Sequence, residues 1–334
     1  MKNNFDLIRL VAASLVIFGH SFYFLGLTEP IFFSWLPPGP IGVHIFFIIS
    51  GYLVAQSWSR DPNALRFLAR RALRIFPGLA VCVLVSVFLI GPIFTTLTVK
   101  QYFKDHATFH YLRDIALYIQ YYLPGVFTTS RLPNAVDGSL WSLPVEFFMY
   151  FLLLFVNIIV RKKKWPFLII SLVSAMVCLY WAQNAKPVVF YATDMRYVFI
   201  SGTFFWMGTL VHKYNLEKHL TPGRSVAAIV AMLCLSPWPA AIGAAAWVLL
   251  PVIVLGFGLS YDPFLNKLTQ FGDLSYGAYI YAFPIQQILA CASPNVDIIS
   301  FLMLCFPITL VVAFLSWRFV EKPMLLLKPR RPPS

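Results

Sequence analysis

Phe5-Asp6-Leu7-Ile8-Arg9-Leu10-Val11-Ala12-Ala13-Ser14-Leu15-Val16-Ile17-Phe18-Gly19-His20-Ser21-Phe22 is the stretch whose reading decides the fold. It is apolar over nearly the ~20 residues that a helix needs to cross a bilayer core. It nevertheless carries Asp6, Arg9 and His20. Ionisable side chains at such a depth are costly and by default mark a site. The rotation from Arg9 to His20 is about 1100°, or roughly 20° once whole turns are removed, so both project from one face. They stand roughly 16 Å apart along the axis. A regular helix keeps them from touching each other but lets them hold two ends of one extended ligand.

The rest of the composition agrees with a lipid solvent. The chain has 334 residues, of which 59% are hydrophobic and only 12% charged. Soluble domains carry about 25% charged residues. The formal charge of +13 reads as membrane topology rather than nucleic-acid binding, because the Lys and Arg residues sit in short loops between apolar spans. Cys82, Cys178, Cys234, Cys291 and Cys305 lie in or beside apolar spans without metal-type spacing. They read as packing residues, with no metal site and no disulfide framework. No small-residue cleavage site follows the first apolar run, which is expected to stay as a membrane span.

About ten spans of bilayer-crossing length follow one another: 5–27, 41–58, 75–94, 139–160, 165–181, 195–212, 226–237, 240–259, 274–291 and 298–319. The mixed segment 95–137 reads as a partly helical loop outside the lipid. With the N-terminus in the cytoplasm, the 60–74 arginine loop, the Arg161–Lys164 cluster, the 213–224 loop and the basic tail all fall inside. Roughly six basic residues then face outward against twenty inward, a strong positive-inside bias. The expected fold is therefore an all-α integral membrane protein with both termini cytoplasmic. It forms one domain over 1–334, with helices over about 5–323 and a basic cytoplasmic tail at 324–334. No internal repeat of the transporter kind is visible.

Several polar positions within this frame carry possible chemistry. His20 lies past the bilayer middle, toward the outer side. A neutral imidazole there either bonds a neighbouring helix or takes a proton as a general base. Arg9 either snorkels to headgroups or serves a ligand on the face it shares with His20. Arg66, Arg70 and Arg74 recur at i, i+4 and i+8, a stripe suited to phosphates if the segment is helical. Arg71 lies off that stripe and reads on geometry as an anchor to anionic lipid. Ser142 and Glu146 stand one turn apart at the start of the fourth span. Glu146 needs a partner in apolar surroundings, either a sugar hydroxyl, an arginine or a neighbouring helix. Tyr276, Tyr279 and Tyr281 either line a cavity or pack as aromatics. Glu321 sits at the cytoplasmic end, where an exposed ion pair with Arg318 or Lys322 is the bland alternative to a role in the site.

Five motifs in order resemble the acyltransferase-3 family of integral membrane O-acyltransferases. Arg9 and His20 match its Arg-x10-His signature, and Phe46-Phe47-Ile48-Ile49-Ser50-Gly51-Tyr52 its Phe-Phe-Val-x-Ser-Gly-Phe/Tyr segment. Arg71-Ala72-Leu73-Arg74-Ile75-Phe76-Pro77 matches the basic motif before its third helix. Trp141-Ser142-Leu143-Pro144-Val145-Glu146 matches Trp-Ser-Leu-x-x-Glu, and Glu321-Lys322-Pro323 the terminal Glu-x-Pro. The chain departs from the pattern at Ala282, where the family often has a histidine, and at His44, where it often has an acid.

The resemblance implies a cytoplasmic acyl-CoA donor, usually acetyl-CoA, and a carbohydrate acceptor, either a polysaccharide or a lipid-linked oligosaccharide. It implies His20 and Arg9 as catalytic residues, with Arg9 joining Arg66, Arg70, Arg71 and Arg74 on the donor's phosphates. Trp141, Ser142, Glu146 and Tyr279 are expected to position the acceptor. Location in the bacterial cytoplasmic (inner) membrane, beside polysaccharide-synthesis machinery, follows from the same resemblance. The rival classes are a transporter or flippase of a lipid-linked glycan, and a scaffold for a polysaccharide synthase. Neither requires an intramembrane histidine paired with cytoplasmic arginines.

Overall fold

The computed structural model describes residues 3–160, 163–183, 186–263, 267 and 270–329. Arg161, Lys162 and the tail residues 330–334 lie outside the described residues. Ten main helices follow in order: α1 (Phe5–Leu25), α2 (Pro38–Arg60), α3 (Ala64–Val85), α4 (Ser142–Val160), α5 (Trp165–Gln183), α6 (Arg196–Lys213), α7 (Pro222–Leu235), α8 (Pro239–Leu259), α9 (Ser275–Ala292) and α10 (Ile298–Ser316). A single two-stranded hairpin, Val189–Phe190 with Thr193–Asp194, is the described sheet.

Among the described residues, six helices are long and apolar enough to cross a membrane: α1, α2, α3 with its continuation to Phe94, α4, α8, and α10 with its continuation to Leu326. The other four apolar runs also form helices, but α7 has only 14 residues. At 1.5 Å per residue that is about 21 Å, short of a bilayer core. α6 and α9 are diluted by polar residues such as Arg196, Thr203, Thr209, Gln286 and Gln287.

Many large apolar side chains face outward as well as inward. Phe151, Phe155, Ile158 and Ile159 of α4 and Ile299, Met303 and Val311 of α10 face outward. Polar side chains such as Ser21, Ser50, Gln286, Gln287 and Thr309 face inward. Gln286 donates from Nε2 to the Ile17 carbonyl and to Ser21 Oγ, each at 2.8 Å, tying α9 to α1. In lipid, van der Waals fit and such interhelical hydrogen bonds replace the hydrophobic drive between helices.

α2 runs through the middle, packed on α1 and α6. Close approach is the reason for Gly51. A Cβ there would meet the Phe205 carbonyl oxygen at 1.9 Å, and one at Gly208 would meet that of Ile48 at 2.1 Å. The glycine in the Ser-Gly motif is thus a packing device that brings α2 and α6 into backbone contact.

Two boundaries differ from expectation for identifiable reasons. α3 begins at Ala64, where Asn63 caps the Arg66 amide, so the arginine cluster is the first turns of the helix itself. Continuations of α3 and α10 pass through π-turns at Ser86–Ile90 and Trp317–Glu321, just before Pro92 and Pro323. Proline lacks the N–H that would continue the i to i−4 ladder, and a wider turn accommodates it. The segment 95–137 is partly helical, as the sequence suggests. Its short helices Val99–Lys104 and His106–His110 lead into a 3-10 turn, Tyr111–Ala116, that packs against α3.

Candidate active site

One cavity of about 390 Å³ lies between α1, α2, α3, α4 and α9. At one end it is lined by Asp6, Arg9, Arg70, Arg71, Arg74, Asp273 and Lys328; it extends to Ser50, Glu146, Tyr150, Ser142 and Tyr279.

The charged end is an ordered network. The Asp273 carboxylate sits at the start of α9, where its Oδ1 accepts from Ser275. Its Oδ2 accepts from Arg74 at 2.6 Å and from Arg9 at 3.2 Å. Burial by itself would raise this carboxyl, but Arg74, Arg9 and then Ser275 hold it below its ordinary value. Arg9 also bonds Asp6 at 2.9 Å. Arg74 lies 5.6 Å from the Tyr276 ring centroid and 3.9 Å from Glu321. Glu321 is buried and bonded by Ser316, not an exposed partner of Arg318 or Lys322. The π-turn inserts one residue into the helical repeat and rotates Glu321 inward, which a straight-helix reading misses.

The arginines sort differently from the stripe that their spacing suggests. Arg66 forms a bidentate pair with Asp61 at 2.9 and 2.6 Å and lies outside the cavity lining. Arg70 bonds the same Asp61 and the Pro329 carbonyl while still lining the cavity. Arg74 is held by Asp273. Arg71, off the stripe, projects into the cavity over the Tyr150 ring at 5.9 Å. Its Nε is buried with no hydrogen-bond partner among the described residues. Lys328 adds to the positive end. Burial first, then Arg74, Arg71 and Arg9, bring its ammonium down to about 8.

Deeper in, the polar groups are neutral or singly acidic and tightly bonded. Ser50 Oγ donates to Glu146 Oε1 at 2.7 Å, and Tyr150 donates to the same oxygen from one turn further along α4. Tyr279 donates its hydroxyl hydrogen to the Ser139 carbonyl at 2.8 Å. Ser142, 2.6 Å from the Tyr279 oxygen, must therefore be the donor in that pair. Phe46 meets the Tyr279 ring edge-on at 5.6 Å and helps close the cavity.

His20 is not in the cavity lining. Its ring packs edge-on against Phe283, centroids 5.5 Å apart, one turn beyond Tyr279 on α9. It is turned into the protein, and its Nδ1 is buried without a partner among the described residues. Arg9 thus stands at the charged end, and His20 beyond the far end behind an aromatic layer. Trp141 also stays outside the lining, tilted against Tyr197 with ring centroids 4.1 Å apart. Asp273, Tyr150, Lys328 and Ser50 are lining residues that spacing did not single out. Ser50 sits in the quoted Phe-Phe motif, and Tyr150 follows Glu146 by one turn, so both had a signal. Asp273 had only the Asp-x-Ser pattern of a helix start. No group of metal-ligating side chains is found among the described residues.

A family model described as an acyltransferase domain matches residues 2–318. An O-acetyl transferase of Shigella phage Sf6 is 30% identical over 329 residues, covering 97% of this chain and 96% of that one. Nodulation protein 10 of Rhizobium leguminosarum bv. viciae is 31% identical over 355 residues, covering 98% and 94%. Peptidoglycan O-acetyltransferase OatA of Listeria monocytogenes is 27% identical over 336 residues, covering 87% of this chain and 52% of that protein. No solved structure matches the chain.

Proposed function

The chain belongs to the acyltransferase-3 family, and we propose that it is a membrane O-acyltransferase moving a short acyl group, acetyl first among them, from cytoplasmic acyl-CoA to a hydroxyl of a cell-surface or exported polysaccharide. Its setting in this reading is the bacterial cytoplasmic membrane, crossed ten times with both ends inside. The observation that carries the proposal is the polarity of the cavity: guanidinium groups at one end, hydroxyls at the other, and an imidazole just beyond.

In this reading Arg71, Arg70, Arg9 and Lys328 receive the phosphates of the donor. Guanidinium suits them because it stays charged and bonds phosphate oxygens in pairs. Arg71 leads, since its Nε is unspent, whereas Arg66 serves Asp61 and braces Arg70 through it. The thin arm of the donor follows the cavity toward Ser142 and Tyr279. Glu146, held by Ser50 and Tyr150, keeps the wall polar along that path. Phe283 and Tyr279 turn aside for the thioester to meet His20. The imidazole takes the proton of the acceptor hydroxyl as its oxygen attacks the thioester carbonyl. The carbon–sulfur bond breaks, the CoA sulfur leaves with the electron pair, and the proton returns to it. Transient attachment of the acyl group to His20 gives the same products.

A ligand that binds only the folded state raises its melting temperature. Coenzyme A should raise the Tm of the purified chain, and Arg71→Gln should abolish the rise while leaving the Tm without ligand near that of the wild type. A wild-type chain whose Tm ignores coenzyme A would remove the cavity from donor binding.

A further inference from the structure

A second cleft, of about 610 Å³, lies where the ends of α2, α4 and α6 meet near Trp58, Asn157 and Lys213. It shares no lining residue with the first cavity. Lys163, Lys164 and Lys213 line it, together with His212, and no carboxylate does among the described residues.

Lys213 is the centre of the cleft. Its Nζ donates to Asn157 Oδ1 at 2.5 Å and stands 4.5 Å from the centroid of the Phe167 ring. The Asn157 amide is held in that orientation because its Nδ2 donates to the Leu153 carbonyl at 2.7 Å. An ammonium has three hydrogens to donate, and Asn157 is its one hydrogen-bond acceptor among the described residues. Lys164 lies over the Tyr214 ring at 5.9 Å. Beside them His212 contacts Ser59 Oγ through Nε2 at 3.0 Å, and its Nδ1 is buried without a partner among the described residues. Three ammonium groups are thus gathered around a polar recess with no carboxylate in its wall among the described residues.

We propose that this cleft binds a phosphate-bearing group, supplied by the headgroup of an anionic phospholipid at the membrane boundary. Phosphate offers several charged acceptors to donors that approach from different helices, and basic recesses between span ends are suited to such headgroups. The surroundings favour a lipid over a soluble phosphate. Trp165, next to Lys164, is 57% exposed, an amphipathic ring of the kind found at headgroup level. Ile158 and Ile159, which follow the lining residue Asn157 on α4, are exposed, where acyl chains would lie.

The test uses the full chain in detergent, followed by Tm. Phosphatidylglycerol should raise the Tm more than phosphatidylcholine does. The difference should disappear in Lys213→Gln and in the Lys163→Gln/Lys164→Gln double variant, whose exposed positions leave the fold intact, and should persist in Lys100→Gln. Glycerol 3-phosphate reproducing the rise in wild type but not in the variants would keep the phosphate site and reassign its source to the soluble phase. Equal response to both lipids with no response to glycerol 3-phosphate, or a rise that survives in the double variant, would overturn the proposal. The donor cavity is untouched by these variants, so their response to coenzyme A separates this site from the catalytic reading.

Discussion

The two ends of the molecule treat buried carboxylates in opposite ways. At the arginine end, Asp61 is gripped by Arg66 and Arg70, and Asp273 by Arg74 and Arg9. In the 95–141 segment, Asp114 and Asp137 are fully buried with no cation among their described partners. Asp114 accepts from the Gln120 amide and Asp137 from the Ser139 amide and the Cys82 thiol. Burial pushes Asp114 up to about 8 and Asp137 well above the carboxylate range. Arg66 first, then Arg70, hold Asp61 well below that range. Burying a charge is expensive unless it is paired. One end is therefore built for ions and keeps them charged, while the other stays nearly neutral around the serine and tyrosine hydroxyls.

The largest expected effect breaks the charged end. Asp273→Ala leaves Arg9 and Arg74 without their shared carboxylate, and breaking a buried pair costs about 3–5 kcal/mol. Chemical unfolding of the purified chain reads this, and a variant as stable as the wild type would deny the network its structural weight. The neutral end is expected to give less. Tyr279→Phe strands the Ser142 hydroxyl and the Ser139 carbonyl, for about 1–3 kcal/mol. The same unfolding measurement applies, and a neutral outcome would mean that water replaces the phenol.

The smallest effect is the sharpest on the comparison itself, because its sign reverses between the two ends. Asp114 has a raised folded value, so its contribution is complete below about 3.8 and is lost as pH climbs toward about 8. Asp61 has a depressed folded value, so its contribution is complete above 3.8 and is lost as pH falls below it. Relative to wild type, Asp114→Asn should therefore gain Tm between pH 5 and pH 8 on the order of a few degrees. Asp61→Asn should be penalised throughout that range, with the penalty shrinking only in acid. Parallel profiles for the two variants would contradict the contrast.

Much of this was legible in the sequence, and the illegible part has physical causes. The helices follow from apolar runs, and the Ser142–Glu146 wall from one-turn spacing. The stripe of Arg66, Arg70 and Arg74 misled, because helical periodicity says which side chains share a face but not which partners await them. Asp273 is 199 positions from Arg74, and no local pattern links them. The bland alternative for Glu321, an exposed ion pair, fails because the residue is buried within the π-turn before Pro323. Arg9 lines the charged end of the cavity, but His20 lies outside its lining, against Phe283 from α9. A helix read alone cannot report what its neighbour inserts.

The account rests on a division of labour, with donor binding at the arginine end and proton transfer at His20. The most direct measurement takes the His20→Ala chain and reads two quantities on one preparation: the Tm rise with coenzyme A, and acetyl transfer to the exported glycan. The account predicts an unchanged rise with transfer reduced by about 10²-fold or more, the scale of a lost general base. Transfer at the wild-type rate, with the protein present at its normal level, would contradict it.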